Sequence, residues 1–263
     1  MPHTTTPDGA RIAYQLRGDG PPLVLLAGQA NSHHWWDGIR EDFHAAHSTV
    51  TLDYRGTGES DEHRTPYSTQ QFARDVIAVL DDLGIDRADV YGTSMGGRVV
   101  QWLAIRHPER VRGLILGCTS PGGPHSLERS NEVRRSLAVP DVAAAQRALA
   151  ELMYTPAWLA AHSAPYQTLG DPTMSARARR AHLTASRDHD AWDELPAISA
   201  PTLILHGDAD LLNPAANAPL LADRIPGARM TLIPGARHAY FEEFRARASP
   251  LVLDFLRREA AEV

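Results

Sequence analysis

The sequence predicts an α/β fold: a mostly parallel, doubly wound sheet with helices on both faces and a helical insert between its two halves. Three observations predict it. Short apolar runs alternate with amphipathic stretches from Arg11 to Leu116. Between about 124 and 190 the alternation stops, and an Ala- and Arg-rich stretch carries helical patterning only. At Pro201 the alternation resumes. With 263 residues the chain can hold this as one domain with a large core and needs no disulfide or metal staple.

The elements follow in order. Arg11 to Leu16 alternates like a half-buried strand, after a turn at Pro7-Asp8-Gly9. Leu23 to Leu26 is a continuous apolar run, as a strand covered on both faces requires. Thr49 to Asp53 is the next strand. Ser68 caps a helix through Leu83, with Phe72, Val76, Val79 and Leu80 on one face and Gly84 as its stop. A strand around Asp89 to Tyr91 leads into Gly92-Thr93-Ser94-Met95-Gly96-Gly97 and a helix that ends near His107, before Pro108. Val111 to Leu116 closes the first half. The insert, about 124–190, is cut into short helices by Pro140, Pro156, Pro165 and Pro172. Thr202 to Leu205 and Met230 to Ile233 are strands; Pro214 to Arg224 and Glu242 to Arg258 are helices.

Composition excludes several function classes. The net charge is −6, and the arginines are scattered among acids, which argues against nucleic-acid binding. Cys118 is the one cysteine, so no internal disulfide or multi-cysteine metal site is available. The chain has no lysine, which excludes Schiff-base chemistry and lysine-dependent phosphate loops. Met1 to Gly9 lacks the apolar core of a signal peptide, and no run of about 18 apolar residues is present. The expectation is a cytoplasmic protein that does not engage membranes.

Gly92-Thr93-Ser94-Met95-Gly96 fits G-x-S-x-G. That spacing serves a sharp strand-to-helix turn that pushes the serine oxygen out at the top of the sheet. The Met95 N–H then lies at a helix N-terminus, where it can stabilise an oxyanion. A serine needs a base, and the base needs an orienting acid. Downstream, His206-Gly207-Asp208-Ala209-Asp210 offers two acids at a strand end, and Gly235-Ala236-Arg237-His238 offers a histidine after the next strand. Both lie at carboxyl ends of strands, where a doubly wound sheet places its ligands.

These segments, together with Leu25-Leu26-Ala27-Gly28, Trp36 and Asp53-Tyr54-Arg55-Gly56-Thr57-Gly58-Glu59-Ser60, resemble the α/β-hydrolase superfamily in order and over essentially the whole chain. The resemblance implies Ser94 as nucleophile, His238 as base and Asp210 as acid, the last because the family uses the aspartate three residues after the strand-end glycine, here Gly207. Asp208 is the alternative acid. The second oxyanion N–H then comes from the loop after Leu26, where the family often has His-Gly and this chain has Ala27-Gly28-Gln29-Ala30; Gln29 is the expected donor. Trp36 stands where the family commonly has tryptophan. It is a candidate substrate-pocket wall with Tyr154, Trp158 and Tyr166, and packing is the competing role for all four. The remaining histidines, His206 included, are expected in surface or packing roles. His33 and His34 carry no metal expectation, since adjacent side chains point apart and no carboxylate-rich partner motif is near.

The implied activity is hydrolysis of a small carboxylic ester or lactone through an acyl-enzyme, without metal or cofactor. Ser94 sets the chain apart from dehalogenases and epoxide hydrolases of the fold, which use aspartate there. Pro66-Tyr67-Ser68, Asp81-Asp82-Leu83-Gly84-Ile85 and Gln101-Trp102-Leu103-Ala104 are similar to 3-oxoadipate enol-lactonases. A lyase, cyclase or perhydrolase on the same triad is the alternative, because a fold does not fix a reaction.

Overall fold

A computed structural model describes residues 1–261. Eight strands form one sheet in the order β1-β2-β4-β3-β5-β6-β7-β8. They are β1 (His3–Thr5), β2 (Arg11–Arg17), β3 (Pro22–Leu26), β4 (Ser48–Leu52), β5 (Ala88–Thr93), β6 (Val111–Gly117), β7 (Thr202–Gly207) and β8 (Arg229–Ile233). β1 and β2 run antiparallel to their neighbours; β3 to β8 are parallel. Every residue of β4, β5 and β7 is buried, as expected of strands covered on both faces. β8 is the edge, and it exposes Met230 and Leu232.

Nine α-helices are present among the described residues. α1 (Thr69–Asp82) begins where the Ser68 Oγ accepts the Gln71 N–H at 3.0 Å and buries Phe72, Val76, Val79 and Leu80 on one face. Each such side chain contributes roughly 1.5–3 kcal/mol of transfer free energy. Gly84 follows in the left-handed region, at φ +64°. α2 (Met95–Arg106) lies against the sheet beside it. The insert holds α3 (Asn131–Leu137), α4 (Val142–Met153), α5 (Pro156–Ala161) and α6 (Ala176–Arg187). The side chains of Ser130, Asp141, Thr155 and Ser175 cap these four helices in turn. An antiparallel bridge between Gly122 and Asp190 brings the two ends of the insert together. After β7 come α7 (Asn217–Arg224), α8 (Tyr240–Glu243) and α9 (Arg245–Ala261).

Three elements depart from expectation. β1 was not foreseen; it is three residues long and gains its place only by pairing with β2. α7 starts at Asn217 rather than Pro214, because the Asp210 carboxylate takes the Leu212 and Asn213 N–H groups and holds the chain in turns before the helix. The last helix is broken at Phe244, since the Glu242 and Glu243 side chains are drawn back to the insert.

Two fastenings matter for the site. The Arg55 guanidinium, fully buried, grips Asp75 of α1 with Nε–Oδ2 at 2.7 Å and Nη2–Oδ1 at 2.6 Å. The end of α4 meets the chain after β8: the Ala239 N–H donates to the Met153 carbonyl at 2.9 Å and the His238 N–H to the Leu152 carbonyl at 3.4 Å. No helix among the described residues is long and apolar enough to cross a membrane.

Candidate active site

The strand order turns back between β3 and β5: β4 lies on one side of β3, and β5 and its successors lie on the other. A crevice opens at the carboxyl ends of strands at such a point. Ser94 follows β5 there, and Gln29 follows β3. Ser94 adopts φ +56°, ψ −121°, a conformation strained for a residue with a Cβ. It is locked by its N–H on the Gly117 carbonyl at 2.9 Å and by the Thr119 hydroxyl on its own carbonyl at 2.8 Å. The turn is tight enough that a Cβ at Gly92 would strike the Gly96 backbone, and one at Gly96 would strike the Leu26 carbonyl. Sequence spacing anticipated both glycines for this reason. Ser94 itself is half-buried, so its side chain keeps an open side.

Asp210 and His238 come from the loops after β7 and β8, and both are buried. His238 Nδ1 lies 2.7 Å from Asp210 Oδ2. The second oxygen, Oδ1, accepts the Leu212 and Asn213 N–H groups at 2.9 Å each. His206 Nε2 approaches Oδ2 at 3.2 Å while donating to the Asn213 carbonyl at 2.8 Å. Burial works against the Asp210 carboxylate, but the charge and hydrogen bonds of His238 and His206 outweigh it and hold its carboxyl well below the usual range. Asp208 is exposed and accepts the Gly235 N–H at 2.7 Å, so it orders the β8 loop and does not meet His238. Of the two acids at this strand end, Asp210 is the one that bonds His238.

The Met95 N–H opens α2, and the Gln29 N–H follows β3; neither has a hydrogen-bond partner among the described residues. Two donors without partners, on the residues after β3 and after Ser94, together with a strained serine and a carboxylate-oriented imidazole at the carboxyl end of the sheet, are the parts an acyl-transfer site needs.

Two of the four aromatic residues expected in the pocket, Trp36 and Tyr154, are placed differently, while Trp158 and Tyr166 are half-buried. Trp36 has no exposed surface and packs in the core against Tyr91 and Phe241. Tyr154 is also fully buried; its hydroxyl bonds Glu242 and Thr168, and its ring stacks on Trp158 with centroids 3.9 Å apart. Tyr166 joins the same stack and donates to the His162 carbonyl at 2.9 Å. Trp36 and Tyr154 are therefore packing residues, and the stack fastens the insert to α8. A groove of about 520 Å³ lies between α3, α4 and the Asp210 loop, lined among others by Val133, Leu152, Ala209, Leu211 and Arg237; Ser94 and His238 are not among its lining residues.

Cys118 is buried beneath the site, and burial pushes its thiol well above the ordinary value. His33 and His34 do not point apart as expected: their rings lie against each other with centroids 4.1 Å apart, though they bond different carboxylates, His33 Nδ1 to Asp53 at 2.8 Å and His34 Nδ1 to Asp37 at 2.6 Å. Among the described residues no group of three metal-ligating side chains assembles.

Residues 21–244 match the family described as alpha/beta hydrolase fold. The chain belongs to that family. This hydrolase is 32% identical over 246 residues to a protein of Azorhizobium caulinodans named putative carbamate hydrolase RutD, covering 91% of this chain and 92% of the relative. It is 30% identical to the pimeloyl-[acyl-carrier protein] methyl ester esterase of Aeromonas hydrophila, covering 88% of this chain and 93% of that one. Among solved structures, Est816, described as an N-acyl homoserine lactone degrading enzyme, superposes with a TM-score of 0.81 at 30% identity and covers 97% of this hydrolase and 100% of Est816.

Proposed function

We propose that this hydrolase cleaves a small carboxylic ester or lactone by two-step acyl transfer. His238 takes the proton from the Ser94 hydroxyl as its oxygen attacks the substrate carbonyl. The Met95 and Gln29 N–H groups receive the oxyanion. The leaving oxygen departs with the proton from His238, and a tetrahedral intermediate collapses to a Ser94 ester. Water then gives a proton to His238 and attacks the ester, and the serine leaves with that proton. Asp210 holds the imidazole through Nδ1, which leaves Nε2 to act as the base, and stabilises its cationic form.

The observation that carries this reading is the fixed acid–base pair, His238 Nδ1 on Asp210 Oδ2 at 2.7 Å, together with a serine held at φ +56° at the carboxyl end of the same sheet. The named activities of the relatives lend support to ester and lactone bonds. The carbamate relative favours a second reading on the same machinery, a carbamate carbonyl attacked by Ser94. Initial rates on p-nitrophenyl esters, small lactones and aryl carbamates test both, with Ser94→Ala in parallel. Turnover of an ester or lactone that vanishes in the variant is the expected result. Carbamate-only turnover shifts the reading to carbamates, and a variant as active as wild type overturns the serine mechanism.

A further inference from the structure

The loop that carries the Gln29 N–H has few bonds of its own, the Asn31 N–H on the Gly28 carbonyl at 3.3 Å and the Asn31 side chain on the Gln29 carbonyl. Ala30 adopts φ +58°, a left-handed conformation that a non-glycine residue keeps only when its surroundings enforce it. Those surroundings come from the insert. The Ala30 N–H donates to His182 Nδ1 of α6 at 3.3 Å, and the Ala30 carbonyl accepts the Asp171 N–H at 2.7 Å. The Asn31 side chain ties the same turn across, taking the Gly170 N–H at 2.9 Å and giving Nδ2–H to the Gln29 carbonyl at 2.8 Å.

His182 is the group whose chemistry can be read in full. Its ring has no exposed surface and is enclosed by Tyr54, Tyr67 and Phe72. Its Nε2 lies 2.9 Å from the Arg55 carbonyl. A carbonyl only accepts, so Nε2 carries the proton; the Ala30 N–H only donates, so Nδ1 holds the lone pair. One neutral tautomer satisfies both ends, and Arg55 is itself clamped by Asp75. The imidazole thus links a rigid turn to the strained residue next to the oxyanion donor.

We propose that His182 is a positioning residue for the oxyanion hole: by accepting the Ala30 N–H, it fixes the turn that aims the Gln29 N–H at the reacting carbonyl. This rests on the reading of Ser94 as nucleophile and of Gln29 as donor. Losing an oxyanion donor outright costs ~10²–10³ in turnover, so misaiming one costs about tenfold or more. The loss falls on kcat, because the oxyanion is bound only as the transition state forms.

His182→Leu and His182→Asn separate this role from simple packing. The leucine removes both bonds. The asparagine Oδ1 stands where Nδ1 stood and keeps the Ala30 bond while losing the one to Arg55. Two readouts apply: kcat and KM per fluorophosphonate-titrated site on the best p-nitrophenyl ester, and amide exchange of the peptide spanning residues 28–31. The leucine variant is expected to lose about tenfold or more in kcat with KM within about twofold, and to exchange faster. The asparagine variant is expected to stay within about threefold of wild type in kcat and to exchange like it. A leucine variant that matches wild type in both readouts overturns the proposal, as does an asparagine variant that falls as far as the leucine. If the leucine variant does not fold, the asparagine variant decides alone by the same criterion. If wild type turns over nothing that Ser94→Ala does not, the hydrolase reading fails, and the exchange rates alone settle whether His182 orders the loop.

Discussion

Asp210→Asn has an outcome that follows from atom positions. Asp210 Oδ1 accepts two backbone N–H groups, from Leu212 and Asn213, at 2.9 Å each. The amide oxygen of asparagine must occupy that place, since an NH₂ there would face two donors. The amide nitrogen then faces His238 Nδ1, which lies 2.7 Å from Oδ2 in the native chain. A donor opposite Nδ1 requires a lone pair on Nδ1, so the ring proton moves to Nε2, the nitrogen that must accept the serine proton. The base is lost without any change in shape. Lodging the wrong tautomer in a serine triad costs about 10⁴-fold in kcat, or about 5.5 kcal/mol. His206 Nε2, 3.2 Å from Oδ2, also meets a donor, so stability should fall by roughly 1–3 kcal/mol as well. The assay is kcat per titrated active site on the best ester, with urea unfolding alongside to separate the two effects. Asp208→Asn is the control; its Oδ1 still accepts the Gly235 N–H, and activity should stay within about twofold of wild type. An Asp210→Asn enzyme with a tenth of wild-type kcat, or an Asp208→Asn enzyme without activity, would falsify the assignment of the acid.

Further outcomes follow from other features. His182 is held at about 4, against an ordinary 6.5, mainly because burial disfavours its charged form; the nearby Arg179 lowers it further, while Asp171 and the Arg55 carbonyl oppose the drop. The unfolded chain therefore binds the extra proton between these values. Stability linked to His182 is full above pH 6.5 and declines as pH falls toward 4, by roughly 3 kcal/mol in total. Urea midpoints measured from pH 7.5 to 4 should show this decline in wild type and a shallower one in His182→Asn; equal slopes would count against it. Asp75→Asn removes one of the two carboxylates that hold the buried Arg55 guanidinium, while Asp8 keeps its contacts at 2.7 and 2.8 Å, and should cost about 1–3 kcal/mol in the same assay, with no change refuting the argument. Gly96→Ala puts a methyl group into the Leu26 and Ala27 carbonyls and should cost at least about 3 kcal/mol; a melting temperature equal to wild type would contradict the tightness of the turn.

Much of the sheet was legible because its strands are buried on both faces and leave continuous apolar runs, as Leu23 to Leu26 does. β1 left no such trace: His3, Thr4 and Thr5 are polar, and their strand exists only through pairing with Arg11 to Ala13. In the site, Ser94 was marked by glycines whose missing side chains the turn requires. Asp210 and His238 were marked by where their strands end. Trp36 and Tyr154 misled, because a large aromatic looks the same in a sequence whether it walls a pocket or packs in a core. His182 was invisible for a different reason. Its partners are the backbone of Ala30 and Arg55, more than a hundred residues away, and any residue type offers the same N–H and carbonyl.

The joint between α4 and the chain after β8 bears on how this enzyme can be altered. Met153 and Leu152 receive the N–H groups of Ala239 and His238 itself. The covering helices and the general base therefore share a seam of backbone bonds. A helical insert transplanted from a relative would bring its own spacing to that seam and would shift the imidazole before it reshaped the substrate cavity. Substitutions on the faces of α3 and α4 at Val133 or Ala148 leave that seam intact, because neither residue contributes a backbone bond to it.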